Sequence, residues 1–310
     1  MRRSGVLTSA FPGIYVPAMS TSPERDWLTR LAAAVVRAGP GSAAAHRSAA
    51  RLHGWDGFDG PDDRHIDVIA PMRSTARGPW LSRSRTLDLT DLIDCGGIPV
   101  TSPARTLCDL GRKVGADQLE RAIESALRGA DPSRPDIGND GLRSELVRRC
   151  ATSFPRTGTG ISSLRLLLMA RPADARPTGS FAETIGMQAL RTAGFYPFTQ
   201  ARIVVSATGR DQQYWTDLGD LDRGLVIEID GLEHHGSAAS QDRDHGRQNV
   251  ITDALTMLRF SAATVIRDPR AMVTTVMRKR SHLRIQPPDR ICGGFRVQRL
   301  DDGWRMTRIA

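Results

Sequence analysis

Two acids placed two residues apart inside an apolar run, Leu225-Val-Ile-Glu228-Ile-Asp230-Gly231, are the side chains best placed to do chemistry. In an extended segment Glu228 and Asp230 share one face, and Leu225, Ile227 and Ile229 share the other. Carboxylates crowded in apolar surroundings repel one another and lose hydration, unless a cation or a bound proton compensates. Asp217 closes the preceding strand-like stretch, and residues 219–224 supply the reversal. Antiparallel pairing would therefore bring Asp217 and Glu228 together. Oxygen ligands in such a pair suit a magnesium ion, which keeps several waters and shares one or two carboxylates with a phosphate substrate. The ion would orient and activate water for phosphodiester cleavage.

Glu183 offers a third carboxylate. Ser180-Phe-Ala-Glu183 also matches a capping box, in which the Glu at the third helical position bonds back to the cap, and the two roles are compatible. His234 and His235 follow the acidic strand and would move protons, hold a metal-bound water or bond a phosphate. Arg243 and Arg247, one helical turn apart, would present guanidinium groups to phosphates. The alternative for either arginine is an ion pair with Asp242 or Asp244 on a solvated face. The other polar cluster, His46-Arg47-Ser48 through Arg51 and His53, has no spacing that demands catalysis.

The elements that must position these residues follow a definite order. From Ser180 the pattern predicts a helix over 180–194, strands near 201–206, 212–218 and 224–230, a helix near 240–253, a strand over 256–260 and a helix over 268–280. This αβββαβ order, three strands in meander and then a crossover helix, implies a mixed sheet covered by helices. Residues 291–308 read as an appended hairpin turning at residues 301–303. Upstream, residues 6–16 read as a hairpin, and Ser22-Pro23 opens a helix closed by Gly39-Pro40. A second helix covers about 42–52, strands cover 65–70, 80–84 and 98–101, and Ser102-Pro103 starts another helix. The tract 129–141 is rich in Gly, Pro, Asp and Asn and reads as a linker. The expected organisation is thus a smaller α+β domain (1–128), a linker and helical connector (129–179), an α/β domain (180–284) and a basic hairpin extension (285–310).

Composition narrows the classes. The net charge of +9 is concentrated toward the C-terminus, where residues 240–310 hold 14 Arg or Lys against 7 Asp or Glu. Such asymmetry suits a polyanionic partner or a solvated basic face. Only Lys113 and Lys279 are lysines, so no lysine stands near Glu228. Four widely spaced cysteines without a C-x-x-C pair argue against a zinc site and a disulfide framework, and fit reduced thiols in a cytoplasmic protein. Pro12 and Gly13 interrupt the N-terminus before an apolar leader forms, and no stretch has the length of a membrane span.

Two resemblances overlay this reading. Ser180-Phe-Ala-Glu183, Thr216-Asp217, Val226-Ile-Glu228-Ile-Asp230-Gly231, His234-His235-Gly236, Asp242-Arg243, Arg247 and Leu258-Arg259-Phe260 resemble the family related to very-short-patch repair endonucleases, within the restriction-endonuclease-like PD-(D/E)XK superfamily. That resemblance implies a magnesium- or manganese-dependent DNA endonuclease. Asp217 is then the central metal-binding acid, Glu228 the acid of the E-x-K position, and Glu183 a further ligand. Asp230 stands where the superfamily places lysine, and His235 is the nearby substitute. Phe11-Pro-Gly-Ile-Tyr15, Ala45 through Gly54 and Gly97 through Leu107 resemble AbiEi-like type IV toxin–antitoxin antitoxins and regulators. In those proteins a winged helix precedes the Pro-Gly-x-Tyr hairpin, whereas this chain begins at the hairpin. The second expectation is therefore a non-catalytic DNA-binding regulator on a degenerate nuclease fold, with a toxin or a second copy as possible partner.

Overall fold

A computed structural model describes residues 7–17, 22–59, 65–85, 87–129, 139–152, 159–171, 176–207, 210–231 and 251–309. The chain is α/β and divides into two compact units, Met1–Arg171 and Pro172–Ala310. Among the described residues no helix is long and apolar enough to cross a membrane.

In the first unit, β1 (Leu7–Phe11) and β2 (Ile14–Pro17) form the expected hairpin. Helix α1 (Pro23–Ala38) starts where Ser22 accepts the Arg25 N–H and stops at Gly39, whose φ of +93° a side chain would disfavour. A five-stranded sheet follows. It comprises β3 (Ala43–Ala44), β4 (Val68–Pro71), β5 (Leu81–Ser84), β6 (Leu92–Cys95) and β7 (Ile98–Thr101), in the order β5-β4-β3-β7-β6. The helix expected over 42–52 begins only at His46 (α2, His46–Leu52), because Ala43 and Ala44 pair with β4 and β7. Trp27, Leu31 and Val35 of α1 pack on Val68, Ala70 and Val100 of the sheet.

The remaining α-helices among the described residues of this unit are α3 (Pro103–Leu110), α4 (Ala116–Arg128), α5 (Asn139–Thr152) and α6 (Thr159–Ala170). Leu146 of α5 and Leu164 and Leu168 of α6 are buried with Leu107, Leu110, Leu119 and Ile123. The segment expected as a connector thus supplies two helices to the core of this unit. Asp91 links α5 to α3, accepting Arg105 Nη1 at 3.0 Å and Arg149 Nη1 at 2.7 Å.

The second unit opens with α7 (Phe181–Thr192), followed by β8 (Phe198–Ala207), β9 (Arg210–Asp220) and β10 (Leu225–Asp230). Residues 251–254 are helical. Then come β11 (Thr256–Ser261), α8 (Ala262–Arg267) and α9 (Pro269–His282). Of the helix expected near 240–253 only the end falls on described residues; the other expected elements are present in order, with α8 an additional short helix begun by Ser261, whose Oγ accepts the Thr264 N–H. Strands β12 (Asp289–Cys292), β13 (Phe295–Leu300) and β14 (Gly303–Arg308) complete the unit.

The seven described strands form one sheet, ordered β11-β10-β9-β8-β14-β13-β12. Residues 285–310 are therefore no appended hairpin. The turn falls where expected, but β14 runs parallel to β8 and extends the main sheet. The physical reason is Trp304, fully buried with Ile203, Val226 and Leu255. Helices α7, α8 and α9 cover the other face, where Met187, Leu190, Val265, Met272 and Val276 bury Leu225, Ile227 and Ile229. Gly186 permits the closest approach of α7, since a Cβ there would lie 2.9 Å from Ile229 Cδ1. Asp220 anchors α9 to the end of β9 by accepting Arg280 Nε at 2.7 Å.

Candidate acidic site at a strand divergence

β9 and β10 pair through Leu225 with Asp220, Val226 with Gly219 and Ile227 with Leu218, and the pairing stops there. One more step would set Glu228 opposite Asp217, so the two acids flank the point where the strands part. Asp217 fills part of the opening itself: its Oδ2 accepts the Ile229 N–H at 2.5 Å, in place of a ladder bond. Leu225, Ile227 and Ile229 all enter the helix-covered core and Val226 the opposite one, which leaves Glu228 and Asp230 on the face away from α7, as the alternation required.

Burial, followed by the charges of Glu183 and Glu228 and to a lesser degree Asp230, pushes the Asp217 carboxyl up to about 8. The Ile229 N–H acts in the opposite sense but does not prevail. Asp217 is thus protonated at neutral pH in the absence of a cation. Its Oδ1 accepts no hydrogen bond among the described residues.

Glu183 is 5% exposed. Its N–H donates to Ser180 Oγ at 3.2 Å, as a capping box requires. The return bond differs from the expected one: Glu183 Oε2 accepts from Gly179 N at 2.6 Å, one residue before the cap, and also from Gln200 Nε2 at 2.9 Å. The segment leading into α7 is held by Arg176, whose guanidinium lies 3.5 Å over the Trp215 ring, and by Thr199 Oγ1, which donates to the Arg176 carbonyl at 3.3 Å. Capping and placement beside Asp217 therefore coexist in one side chain.

Asp230 is engaged by β11. Arg259 Nε donates to Oδ2 at 3.0 Å and Nη2 to Oδ1 at 2.5 Å. The parallel register sets the Arg259 backbone beside Glu228, and its guanidinium lies on Asp230. Arg259 has no predicted role in the sequence reading beyond its place in a matching triplet. Gln200 carries no signal in the sequence, since a glutamine in a β-pattern is ordinary there. His234, His235, Arg243 and Arg247 lie outside the described residues. No group of three or more His, Cys, Asp and Glu among the described residues is arranged to hold a metal ion. Glu183, Glu228 and Asp230 act on the Asp217 carboxyl without converging with it as a finished cluster among the described residues.

The other polar cluster is structural. His46 is buried, and burial lowers its pKa. Arg47 donates to Gln118, Arg51 lies 4.2 Å over the Trp27 ring and pairs with Glu24, and His53 meets the Thr101 carbonyl at 2.8 Å while stacking on Trp55.

Neither a protein-family model, nor a curated protein, nor a solved structure matches the chain.

Proposed function

We propose that the second unit is a metal-dependent DNA endonuclease domain of restriction-endonuclease-like type, with Asp217, Glu228 and Glu183 holding a magnesium or manganese ion. The observation that carries this reading is the placement of Asp217 and Glu228 across a strand pair that stops, with Asp217 driven toward its neutral form by burial and by two neighbouring acids. The donor set fits such an ion: it is all oxygen, and magnesium takes one or two carboxylates and fills its remaining positions with water and phosphate oxygens. When bound, the ion supplies an activated water and neutralises charge on the scissile phosphate.

The chain's own residues then have separable tasks. Ile229 N–H orients Asp217, the Gly179 N–H and Gln200 orient Glu183, and the Arg259 guanidinium stands ready to stabilise negative charge that develops nearby. Arg259 stays protonated throughout and is no proton acceptor. Proton transfer falls to His235, the expected substitute for the superfamily's lysine. The basic C-terminal stretch would bind the phosphate backbone with little regard to sequence and with strong salt dependence.

Asp230 favours a second reading, a non-catalytic DNA-binding regulator of antitoxin type. At the position of the superfamily lysine it places an acid already committed to Arg259. Supercoiled plasmid incubated with Mg2+ or Mn2+ separates the two. The endonuclease reading expects nicked or linear product from the wild type and none from Asp217→Ala or Glu228→Ala. Plasmid retarded but uncut by all three proteins would establish the regulator instead.

A further inference from the structure

One residue of β8 is bent in a way that a regular strand does not allow. Gln200 has φ +52°, in the left-handed region where a side chain crowds its own backbone. Pairing is kept on both sides, with Thr199 opposite Leu218 and Ala201 opposite Thr216, so Gln200 stands across from Asp217. The bend switches the facing of the strand: Phe198 and Ala201, three residues apart, pack against the same core, although odd separations in a regular strand point to opposite faces.

The bend does not end the strand, because β8 continues to Ala207 paired with β9 on one side and β14 on the other. Nor does it reverse the chain, the usual task of a left-handed residue, for which glycine or asparagine serves better. Its specific result is the aim of one side chain. Gln200 Nε2 donates to Glu183 Oε2 at 2.9 Å, on the same oxygen that accepts the Gly179 N–H. Local distortions that re-aim a side chain are concentrated beside active sites, and left-handed strain persists only where its surroundings enforce it.

We propose that Gln200 is a positioning residue of the acidic site, holding Glu183 in place beside Asp217 from the strand position opposite Asp217. This rests on the reading of the acids as a cation site, and no contact of Gln200 with substrate is implied. The left-handed backbone and the amide are separable by substitution. Gln200→Gly keeps the backbone and removes the amide, Gln200→Asn tolerates the backbone but is one methylene short of Glu183, and Gln200→Ala loses both.

The test measures Mn2+ binding by isothermal titration calorimetry and thermal unfolding for wild type, the three variants, Glu183→Ala and the Gln200→Gly/Glu183→Ala double variant. Gln200→Gly and Gln200→Asn are expected to unfold within about 3 °C of wild type yet to bind Mn2+ roughly 10- to 100-fold more weakly, the scale of lost outer-shell support. In the Glu183→Ala background Gln200→Gly should weaken binding no further. Wild-type affinity in Gln200→Gly would overturn the inference and leave Gln200 a backbone feature only. If the wild type itself binds no Mn2+, the cation reading fails, and the thermal cycle judges the contact alone. Non-additive shifts would then retain the positioning of Glu183 by Gln200, and additive shifts would overturn it.

Discussion

The Arg259 guanidinium forks onto both carboxylate oxygens of Asp230 from the neighbouring parallel strand, at 3.0 Å and 2.5 Å, while its own backbone stands beside Glu228. A fixed positive charge therefore meets Asp230 from β11. The pair is substantially exposed, so its contribution to stability is small and its importance is geometric. Arg259→Lys keeps the charge but cannot reproduce the planar fork. The expected result is an unfolding temperature within a few degrees of wild type, with plasmid cleavage slowed by about 100- to 1000-fold, the range for losing one charge-stabilising donor. Cleavage at the wild-type rate would remove Arg259 from the site.

The protonation of Asp217 makes stability depend on pH. Its ordinary carboxyl value is 3.8 and its folded value about 8. Between these limits the folded state binds more protons than the unfolded state, so this group costs stability progressively as pH rises through the window. In EDTA, wild-type thermal stability should fall from about pH 5 to pH 8 more steeply than that of Asp217→Asn, which keeps an acceptor for the Ile229 N–H. Parallel pH profiles for the two proteins would contradict the assignment.

The same reasoning predicts a ligand effect. An ion that binds the folded acids and not the unfolded chain stabilises by mass action, by about 2.7 kcal/mol at a concentration 100 times its dissociation constant. Millimolar Mn2+ at pH 8 should raise the unfolding temperature of the wild type and leave Asp217→Asn nearly unmoved. An equal rise in both would place the ion elsewhere.

Gly186 sets the distance between α7 and the acidic strand. A Cβ there would meet Ile229 Cδ1 at 2.9 Å and Met272 Cε at 3.2 Å, both ends of side chains in a filled core. Gly186→Ala should cost about 1–3 kcal/mol by overpacking, measured by urea unfolding, and should displace Glu183 relative to β10. Unchanged stability would mean that Ile229 and Met272 repack freely.

Much of the second unit was legible because its signals are local. The alternation of Leu225 through Asp230, the Ser180 cap, and Asp268-Pro269 at the start of α9 each depend on a few adjacent residues, and each element lies where expected. The approach of Asp217 to Glu228 was legible for the same reason, since a short reversal between two strands fixes which residues face each other. What escaped notice depends on partners far away in sequence. Nothing near Trp304 announces that it is buried beside Ile203, and nothing near Gln200 announces a left-handed backbone or a bond to Glu183. The two helices after residue 139 read as a connector because the buried leucines that claim them belong to α3 and α4.

The insertion of β14 beside β8 has a kinetic consequence. Arg202 pairs with Gly303, and the side chains of Arg202 and Asp302 join positions 100 residues apart. Closing so long a loop carries an entropic cost before any contact rewards it, and sheets with such distant parallel partners fold slowly. Until β14 arrives, β8 has an open flank, and the strand that carries Gln200 is held on one side only. A chain lacking β14 is therefore expected to present the flank of β8 as an unpaired strand edge to its neighbours.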